Sequence, residues 1–319
     1  MSLSYNIPFL SIMLTLVSGI LVPLIRREGG ALRLIRGVQL GVAGLSALLL
    51  VRLSGAGASF SYPMGHIPAP WGNELRAGPL EALLALTFSV VMLLSLSGGA
   101  EDLRRDVRPD RQGWYCLLMQ LLFGALLAMV YSDDLFTGYV FVEIAAVTAC
   151  IAVAAKESGR SVVAAIRYLI FSCLGSGLVL LGIAMLYCIT GQLLFSGLEE
   201  AVARLVQSGE YSLPLVVSAL LMTLGLSIKS AQFPFHAWLP DAHASATTAS
   251  SAILSGLVLK GYLVLLLKLI LRVFGPALIV STYIDDLLFL LGLTGMLFAS
   301  VAALRQEGID AEEALTFAA

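Results

Sequence analysis

The chain has 319 residues, of which 59% are hydrophobic and 13% are charged, and its mean hydropathy is +0.93. Soluble domains carry about 25% charged residues, so this composition excludes a disordered chain, a nucleic-acid-binding protein and an ordinary soluble enzyme. The formal net charge of −2 provides no general attraction to DNA or to anionic surfaces. Because the apolar residues lie in long runs, the sequence predicts an all-α polytopic membrane protein.

Nine apolar runs are long enough to cross a bilayer, for which a helix needs about 20 residues. The predicted spans are residues 7–25, 34–54, 79–98, 114–131, 134–155, 162–188, 211–231, 249–273 and 281–304. The first run lacks a basic segment before it and a small-residue cleavage site after it. We therefore expect a retained helix rather than a cleaved signal peptide.

Two segments depart from this pattern of plain spans. Residues 232–248, QFPFHAWLPDAHASATT, are too polar and too rich in proline for a regular helix. We therefore expect the seventh span to be interrupted near Phe233 to Pro240. Residues 195–208 are amphipathic and too short to span, which predicts a helix on the membrane surface.

The basic residues of the loops alternate along the chain. Cationic residues follow the first, third and fifth spans, whereas the intervening loops carry few. After the third span, for example, the chain has Arg104, Arg105 and Arg108. The basic loops are therefore predicted to be cytoplasmic and the N-terminus to face outward, in a multi-pass protein of the cytoplasmic (inner) membrane.

No motif indicates a cofactor or a metal. The four cysteines are far apart and form no CxxC pair, so neither an iron–sulfur cluster nor a zinc site is expected. Gly175 and Gly177 lie inside a span and are expected to allow close helix packing rather than to cradle a phosphate. Two further glycines, Gly256 and Gly261, lie near Lys260 in the eighth span, and they are expected to leave room around the lysine side chain.

Ionisable residues inside the spans are the candidate functional groups, because a charge at the centre of a transmembrane helix costs roughly 2.5–3.5 kcal/mol. Glu143, in the fifth span, needs a cation from another span or must be protonated, and Lys229, beside the interruption, is the candidate cation. Lys260 lies near the middle of the eighth span, whereas Lys268 is expected to snorkel toward the interface. Such groups suit a proton relay; the alternative is a buried salt bridge that only fixes helix packing.

His236, Asp241 and His243 form the sequence HAWLPDAH in the interruption. Histidine and aspartate at short spacing can bind a metal, but no third histidine and no cysteine is near. Histidines at an ion entrance, or capping the helix break, are the preferred interpretation.

Several segments resemble antiporter-like membrane subunits, a family that includes the proton-pumping subunits of complex I, the D subunits of Mrp-type cation/proton antiporters and subunits of membrane-bound hydrogenases. The resemblance is carried by KSAQFPFHAWLPDAHASATTASSAILSGLVLKGY (229–262) and SDDLFTGYVFVEIAAVTA (132–149). It continues in Arg167-Tyr168, in GSGLVLLGIAMLY (175–187) and in residues 70–86. The resemblance spans roughly residues 60–305.

The resemblance implies roles for the candidate residues. Glu143 and Lys229 would form a paired switch, and Lys260 would be the next proton relay group. Glu81 stands near the place where the family often has aspartate.

The resemblance also implies an inverted-repeat fold, of which this chain carries the first half. We expect three N-terminal helices in residues 1–100, the first five-helix repeat in residues 101–275, and a ninth helix with an acidic tail in residues 276–319. Another membrane subunit is expected to supply the second repeat. It would pack against spans eight and nine, where Gly292 and Gly295 allow close approach.

The expected function is proton translocation, with or without sodium exchange, in a multisubunit membrane complex such as an ion-translocating oxidoreductase or an Mrp-type antiporter. The chain is not expected to catalyse a reaction by itself. The alternative is a truncated, non-conducting scaffold subunit of such a complex.

Overall fold

The structure is a computed structural model that describes residues 3–25, 29–56, 59–64 and 72–305. The acidic tail predicted after the ninth helix begins beyond these residues. The helices, in chain order, are α1 Leu3–Leu21, α2 Gly30–Ala56, α3 Pro79–Gly98, α4 Ala100–Asp106, α5 Gln112–Tyr131, α6 Leu135–Val153, α7 Gly159–Thr190, α8 Phe195–Ser208, α9 Ser212–Lys229, α10 Leu239–Ser245, α11 Thr248–Ile253, α12 Leu259–Lys268, α13 Gly275–Ser281 and α14 Ile284–Arg305.

One small hairpin interrupts this helical pattern. Strand β1 (Phe60–Pro63) pairs antiparallel with β2 (Glu74–Ala77), and Leu75 also bridges to Ser132 after α5. The hairpin therefore ties the beginning of α3 to the end of α5.

Nine helical stretches of the described residues are long and apolar enough to cross a membrane, which confirms the predicted all-α polytopic fold. Helix α8 is not among them. It is amphipathic and buries Phe195, Leu198, Ala201 and Val202 on one face. The helix is confirmed, and its position on the membrane surface stays a prediction.

The seventh span is interrupted where the sequence predicts. Helix α9 ends at Lys229, residues Phe235–Trp238 form a 3-10 turn, and helical structure resumes at Leu239. Because Pro234 has no N–H to donate, the regular ladder cannot pass through it. The N–H of Gln232 instead bonds the carbonyl of Ser227 at 2.9 Å.

The eighth span runs from Thr248 to Ser281, farther than the predicted end at residue 273. Two wider π-helical turns, Leu254–Val258 and Leu269–Phe274, separate its α-helical parts. Gly275 and Pro276 lie just beyond the predicted end. The helix resumes there because proline is tolerated in the first turn of a helical segment.

The chain forms two compact units that are not continuous in sequence. The first unit comprises Met1–Glu157 and Ala246–Gly261, and the second comprises Ser158–Ser245 and Tyr262–Ala319. The predicted division into three consecutive segments stays a prediction.

Helix α5 lies at the centre of the first unit and packs against α1 and α6. Its Gln120 accepts a hydrogen bond from Gln39 at 3.2 Å and donates one to Ser18 at 2.7 Å. A Cβ on Gly124 would come within 2.8 Å of the Leu16 side chain, so glycine permits the close approach of α1. Buried polar groups of three helices are thereby paired with one another.

Ion pairs join the loop before α5 to the end of α6 on the predicted cytoplasmic side. Arg108 lies 2.6 Å from Glu157, and Lys156 lies 3.1 Å from Asp106. The hydrogen bond and charge of Glu157 raise the pKa of Arg108. Exposed pairs of this kind contribute little stability.

In the second unit, α7 and α9 pack closely through two glycines. A Cβ on Gly175 would come within 2.7 Å of the carbonyl oxygen of Gly225, so neither glycine can carry a side chain without separating the helices. Gly175 therefore has the packing role that the sequence predicts. The prediction is wrong for Gly177, because a Cβ at this position would have no atom of the described residues within 4 Å.

Substituting Gly175 tests this packing. We expect Gly175→Ala to destabilise the protein by about 1–3 kcal/mol, because the new methyl group would overlap the backbone of α9. The midpoint of thermal unfolding in detergent would measure the loss. Gly177→Ala is the matched control and should leave the midpoint within the range of a surface substitution; equal effects of both changes would contradict the glycine contact.

Candidate ion-translocation site

Lys229 is the most completely buried cation of the candidate set. It is the last residue of α9, and its side chain and backbone are together only 1% exposed. The ammonium donates a hydrogen bond to Ser172 Oγ of α7 at 3.0 Å. Its Nζ also lies 5.5 Å from the centre of the Tyr262 ring, within the range of a cation–π interaction. The second unit therefore stabilises a positive charge at this position.

A chain of aromatic residues links Lys229 to the helix interruption. The hydroxyl groups of Tyr262 and Tyr168 lie 3.4 Å apart. The ring of Tyr168 stacks on Trp238, with centroids 4.5 Å apart and planes 17° from parallel. Because Trp238 belongs to the 3-10 turn, this stacking fixes the interruption against α7, close to the residues that hold the lysine.

The two histidines of the interruption have different surroundings. His236 is half-buried between the rings of Phe233 and Phe298, at centroid distances of 5.5 and 5.4 Å. Its Nδ1 atom has no hydrogen-bond partner among the described residues. His243 is buried in α10.

Asp241 of the interruption forms an ion pair with Arg167 of α7. This carboxylate is thus engaged by a cation, which removes it as a ready metal ligand for the neighbouring histidines. Among the residues that the structure describes, no three His, Cys, Asp or Glu side chains converge on a common point that could hold a metal ion.

Glu143 and Lys260 belong to the first unit. Glu143 is half-buried in the middle of α6, and Lys260, at the beginning of α12, is exposed. The neighbouring glycines do not leave room around Lys260. A Cβ on Gly261 would come within 2.7 Å of Leu126, and one on Gly256 within 3.0 Å of Val91, so both glycines admit other helices.

The five predicted site residues are therefore divided between the units. Glu143 and Lys260 lie in the first, and Lys229, His236 and His243 lie in the second. The pairing of Glu143 with Lys229 and the relay roles of these residues stay predictions.

The expectation that Lys268 snorkels is wrong, because the residue is only 6% exposed. The turn that follows it, Leu269–Phe274, packs against α8, where the Arg272 guanidinium lies 5.4 Å from the centre of the Phe195 ring. From the sequence, only the position of Lys268 along its helix is known. That position does not reveal that α8 covers this end of the span.

Three further residues near the candidates were not found from sequence. Ser172 and Tyr262 contact Lys229, and Tyr168 lies next to Tyr262. Serine and tyrosine in an apolar run carry no functional signal of their own. Glu81 has a local role, since its carboxylate accepts the Gly78 N–H at 2.9 Å and caps α3.

Comparison with known proteins places this arrangement in a family. The family model described as "NADH:quinone oxidoreductase/Mrp antiporter, TM" matches residues 132–312, more than half of the chain. The chain belongs to this family. The match includes the segments that carry Glu143, the interruption and Lys260.

The antiporter-like chain has relatives in both branches of the family. It is 33% identical over 275 residues to NADH-quinone oxidoreductase subunit N of Desulforudis audaxviator, covering 83% of this chain and 53% of the relative. It is 25% identical over 255 residues to the D subunit of a Na⁺/H⁺ antiporter of Bacillus subtilis, covering 80% of this chain and 50% of the relative. The chain thus spans about half the length of these relatives.

Two solved complexes contain chains of similar fold. A chain of the archaeal membrane-bound sulfane sulfur reductase matches with a TM-score of 0.85 and 25% identity, over 98% of this chain and 62% of the other. A chain of the Mrp complex from Dietzia sp. DQ12-45-1b matches with a TM-score of 0.85 and 20% identity, over 99% and 57%. Both are multisubunit membrane complexes, and the second likeness shows the fold alone.

Removing the Ser172 hydroxyl tests the setting of Lys229. We expect Ser172→Ala to lower stability by about 1–3 kcal/mol, because it takes away a hydrogen bond from a buried charged group. Unfolding of the purified protein in detergent would measure this. Ser176→Ala, which removes a hydroxyl bonded to the carbonyl of residue 172 in the same helix, is the control and should cost less; the reverse order would argue against the Ser172–Lys229 bond.

Proposed function

We propose that the chain is an ion-translocating, antiporter-like subunit of a multisubunit complex in the cytoplasmic membrane, and that it moves protons with or without exchange for Na⁺. The observation that carries this proposal is the buried Lys229 at the end of a broken transmembrane helix. A charge at membrane depth is expensive and marks an ion pathway by default. Non-helical backbone at this depth is tolerated where it is buried in protein or lines a wet cavity.

The surroundings of Lys229 suit a group that gains and loses a proton. Ser172 offers one hydroxyl oxygen and Tyr262 offers the face of its ring, so two of the groups that hold the ammonium are neutral. A carboxylate stabilises an ammonium more strongly than a neutral group does. A carboxylate that moves toward or away from Lys229 would therefore change how firmly the lysine holds its proton, and Glu143 is the proposed switch.

The proposed route continues through Lys260, with His236 and His243 near the ion entrance. Lys260 is exposed near the middle of its span, where contact with lipid would be costly. We propose that a protein surface packs against this side of the span and presents a polar or ionisable group to Lys260. The 18-residue apolar stretch by which helix α14 could cross a membrane has no buried residue, so this helix offers a further surface for the same contact.

The glycines of α14 differ in their availability to such a partner. Gly295 already packs within the chain, since its Cβ would come within 3.0 Å of Phe233. Gly292 has open space around it and is the remaining glycine of this helix for a close helix contact.

Ion flux in the assembled complex tests the proposed function. We expect Glu143→Gln and Lys229→Met each to lower proton uptake by membrane vesicles at least about tenfold, because each removes an ionisable group of the switch. The amount of assembled complex should stay unchanged in Glu143→Gln, which retains the size of the side chain.

Arg204→Gln, an exposed change on α8, is the control for loss of charge. Full flux in both switch variants, with the complex intact, would contradict translocation through this chain and support the scaffold function instead.

A further inference from the structure

A cluster of three hydroxyl groups lies buried in the first unit, between α5 and the beginning of the eighth span. The hydroxyl of Tyr115 lies 2.9 Å from Ser250 Oγ and 3.4 Å from Thr247 Oγ1. Thr247 Oγ1 donates to Ser250 Oγ at 2.9 Å and accepts the Ser250 N–H at 3.1 Å. The three oxygens therefore form one connected network, although Tyr115 is more than 130 residues from the others in sequence.

An exposed hydrogen bond lies next to this cluster in sequence and marks its edge. Thr248, the next residue after Thr247, donates a hydrogen bond to Asp102 of α4 at 2.8 Å, and this pair is exposed. The beginning of α11 can lie this close to α4 because the residue directly before α4, Gly99, has no side chain. A Cβ on Gly99 would come within 2.7 Å of the Ala249 nitrogen. By the predicted topology this edge faces the cytoplasm.

Ser250 of the cluster also lines a small cavity. Its volume is about 10 Å³, close to the smallest space that holds one water molecule. Ser250 is the polar residue of its wall. The lining residues are Met119, Leu122, Ala149, Ala152, Ser250, Ile253, Leu254 and Val258.

The cavity follows the π-helical turn Leu254–Val258 along the eighth span. In this turn the N–H of Leu259 bonds the carbonyl of Leu254, five residues back, and such turns occur frequently at functional sites. From Ser250 to Val258 a helix rises about 12 Å. The residues that line the cavity thus reach from the hydroxyl cluster nearly to the depth of Lys260.

We propose that Tyr115, Thr247 and Ser250 form a proton-uptake relay, which passes protons from the exposed edge at Asp102 to a water molecule in this cavity. The inference rests on the proposed function and adds the residues that would admit the proton. A hydroxyl group can accept a proton on its oxygen while it donates its own.

Each transfer step leaves the number of O–H bonds in the relay unchanged. The hydroxyl that receives a proton releases its original one to the next oxygen, so the charge advances and each O–H bond broken is replaced by one formed. Rotation of the three hydroxyls then restores the starting orientation. Because the rest of the cavity wall is apolar, a water molecule would stay there only briefly, and the cavity would interrupt the path whenever it is dry.

Proton uptake by vesicles that contain the assembled complex tests the relay. We expect Tyr115→Phe and Ser250→Ala each to lower the rate about tenfold, because each removes one positioned proton-transfer group. The ratio of the rates in H₂O and D₂O should rise in both variants, since proton entrance becomes the slow step. A purely structural role of the hydroxyls would not change this ratio.

Two controls define the outcome. Ser89→Ala removes a buried hydroxyl of the same unit that bonds only within its own helix, and it should leave the rate and the isotope ratio unchanged. Thr247→Ser keeps both the hydroxyl and the helix cap, and it should retain the wild-type rate.

Wild-type rates in Tyr115→Phe and Ser250→Ala would overturn the relay, as would failure of both variants to assemble, which would leave the cluster as a tie between α5 and α11. If the two relay variants keep wild-type rates while Glu143→Gln abolishes uptake in the same preparation, the relay is wrong and the proposed function stands. Absence of uptake in the wild-type complex would overturn the relay together with the proposed function.

Discussion

The buried ammonium of Lys229 is the constraint on which the second unit depends. A charge removed from water needs polar or polarisable groups around it, and here these include the Ser172 hydroxyl and the Tyr262 ring. Ser172 can reach the lysine only because Gly175 and Gly225 let α7 and α9 approach closely. Tyr262 also lies 3.4 Å from Tyr168, hydroxyl to hydroxyl, and Tyr168 stacks on Trp238 of the helix interruption. The groups around one charge therefore connect several helical segments.

Irregular backbone is concentrated in the parts of the chain that carry the candidate functional residues. The interruption contains His236 and His243 and begins directly after Lys229. A π-helical turn ends just before Lys260, and a second follows Lys268. A straight α-helix uses all its central backbone groups internally and offers none to ions or water. Departures from regular helix at membrane depth are therefore physically suited to an ion path, and the hydroxyl cluster lies at the beginning of one of them.

Small and hydroxyl-bearing residues, rather than large apolar ones, determine the specific contacts between helices in both units. In the first unit, Gly124 admits α1, Gly261 admits Leu126, and Gly99 admits the beginning of α11. The hydrogen bonds from Gln120 to Gln39 and Ser18 then connect three helices. In a bilayer, where lipid tails are as apolar as leucine, close backbone contact and hydrogen bonds between helices provide the specificity that hydrophobic burial cannot.

The sequence by itself determined the membrane class, the nine spans, the place of the interruption and the family. These follow from local properties, namely the length of an apolar run, the missing N–H of proline and the order of residues in a motif. Only the tertiary structure decided that Lys268 is buried, that Gly175 packs whereas Gly177 does not, and that Tyr115 meets Thr247 and Ser250. The reason is physical. Every span is apolar on all sides, so its sequence does not distinguish the face that meets another helix from the face that meets lipid, and residues distant in sequence become neighbours only after the helices pack.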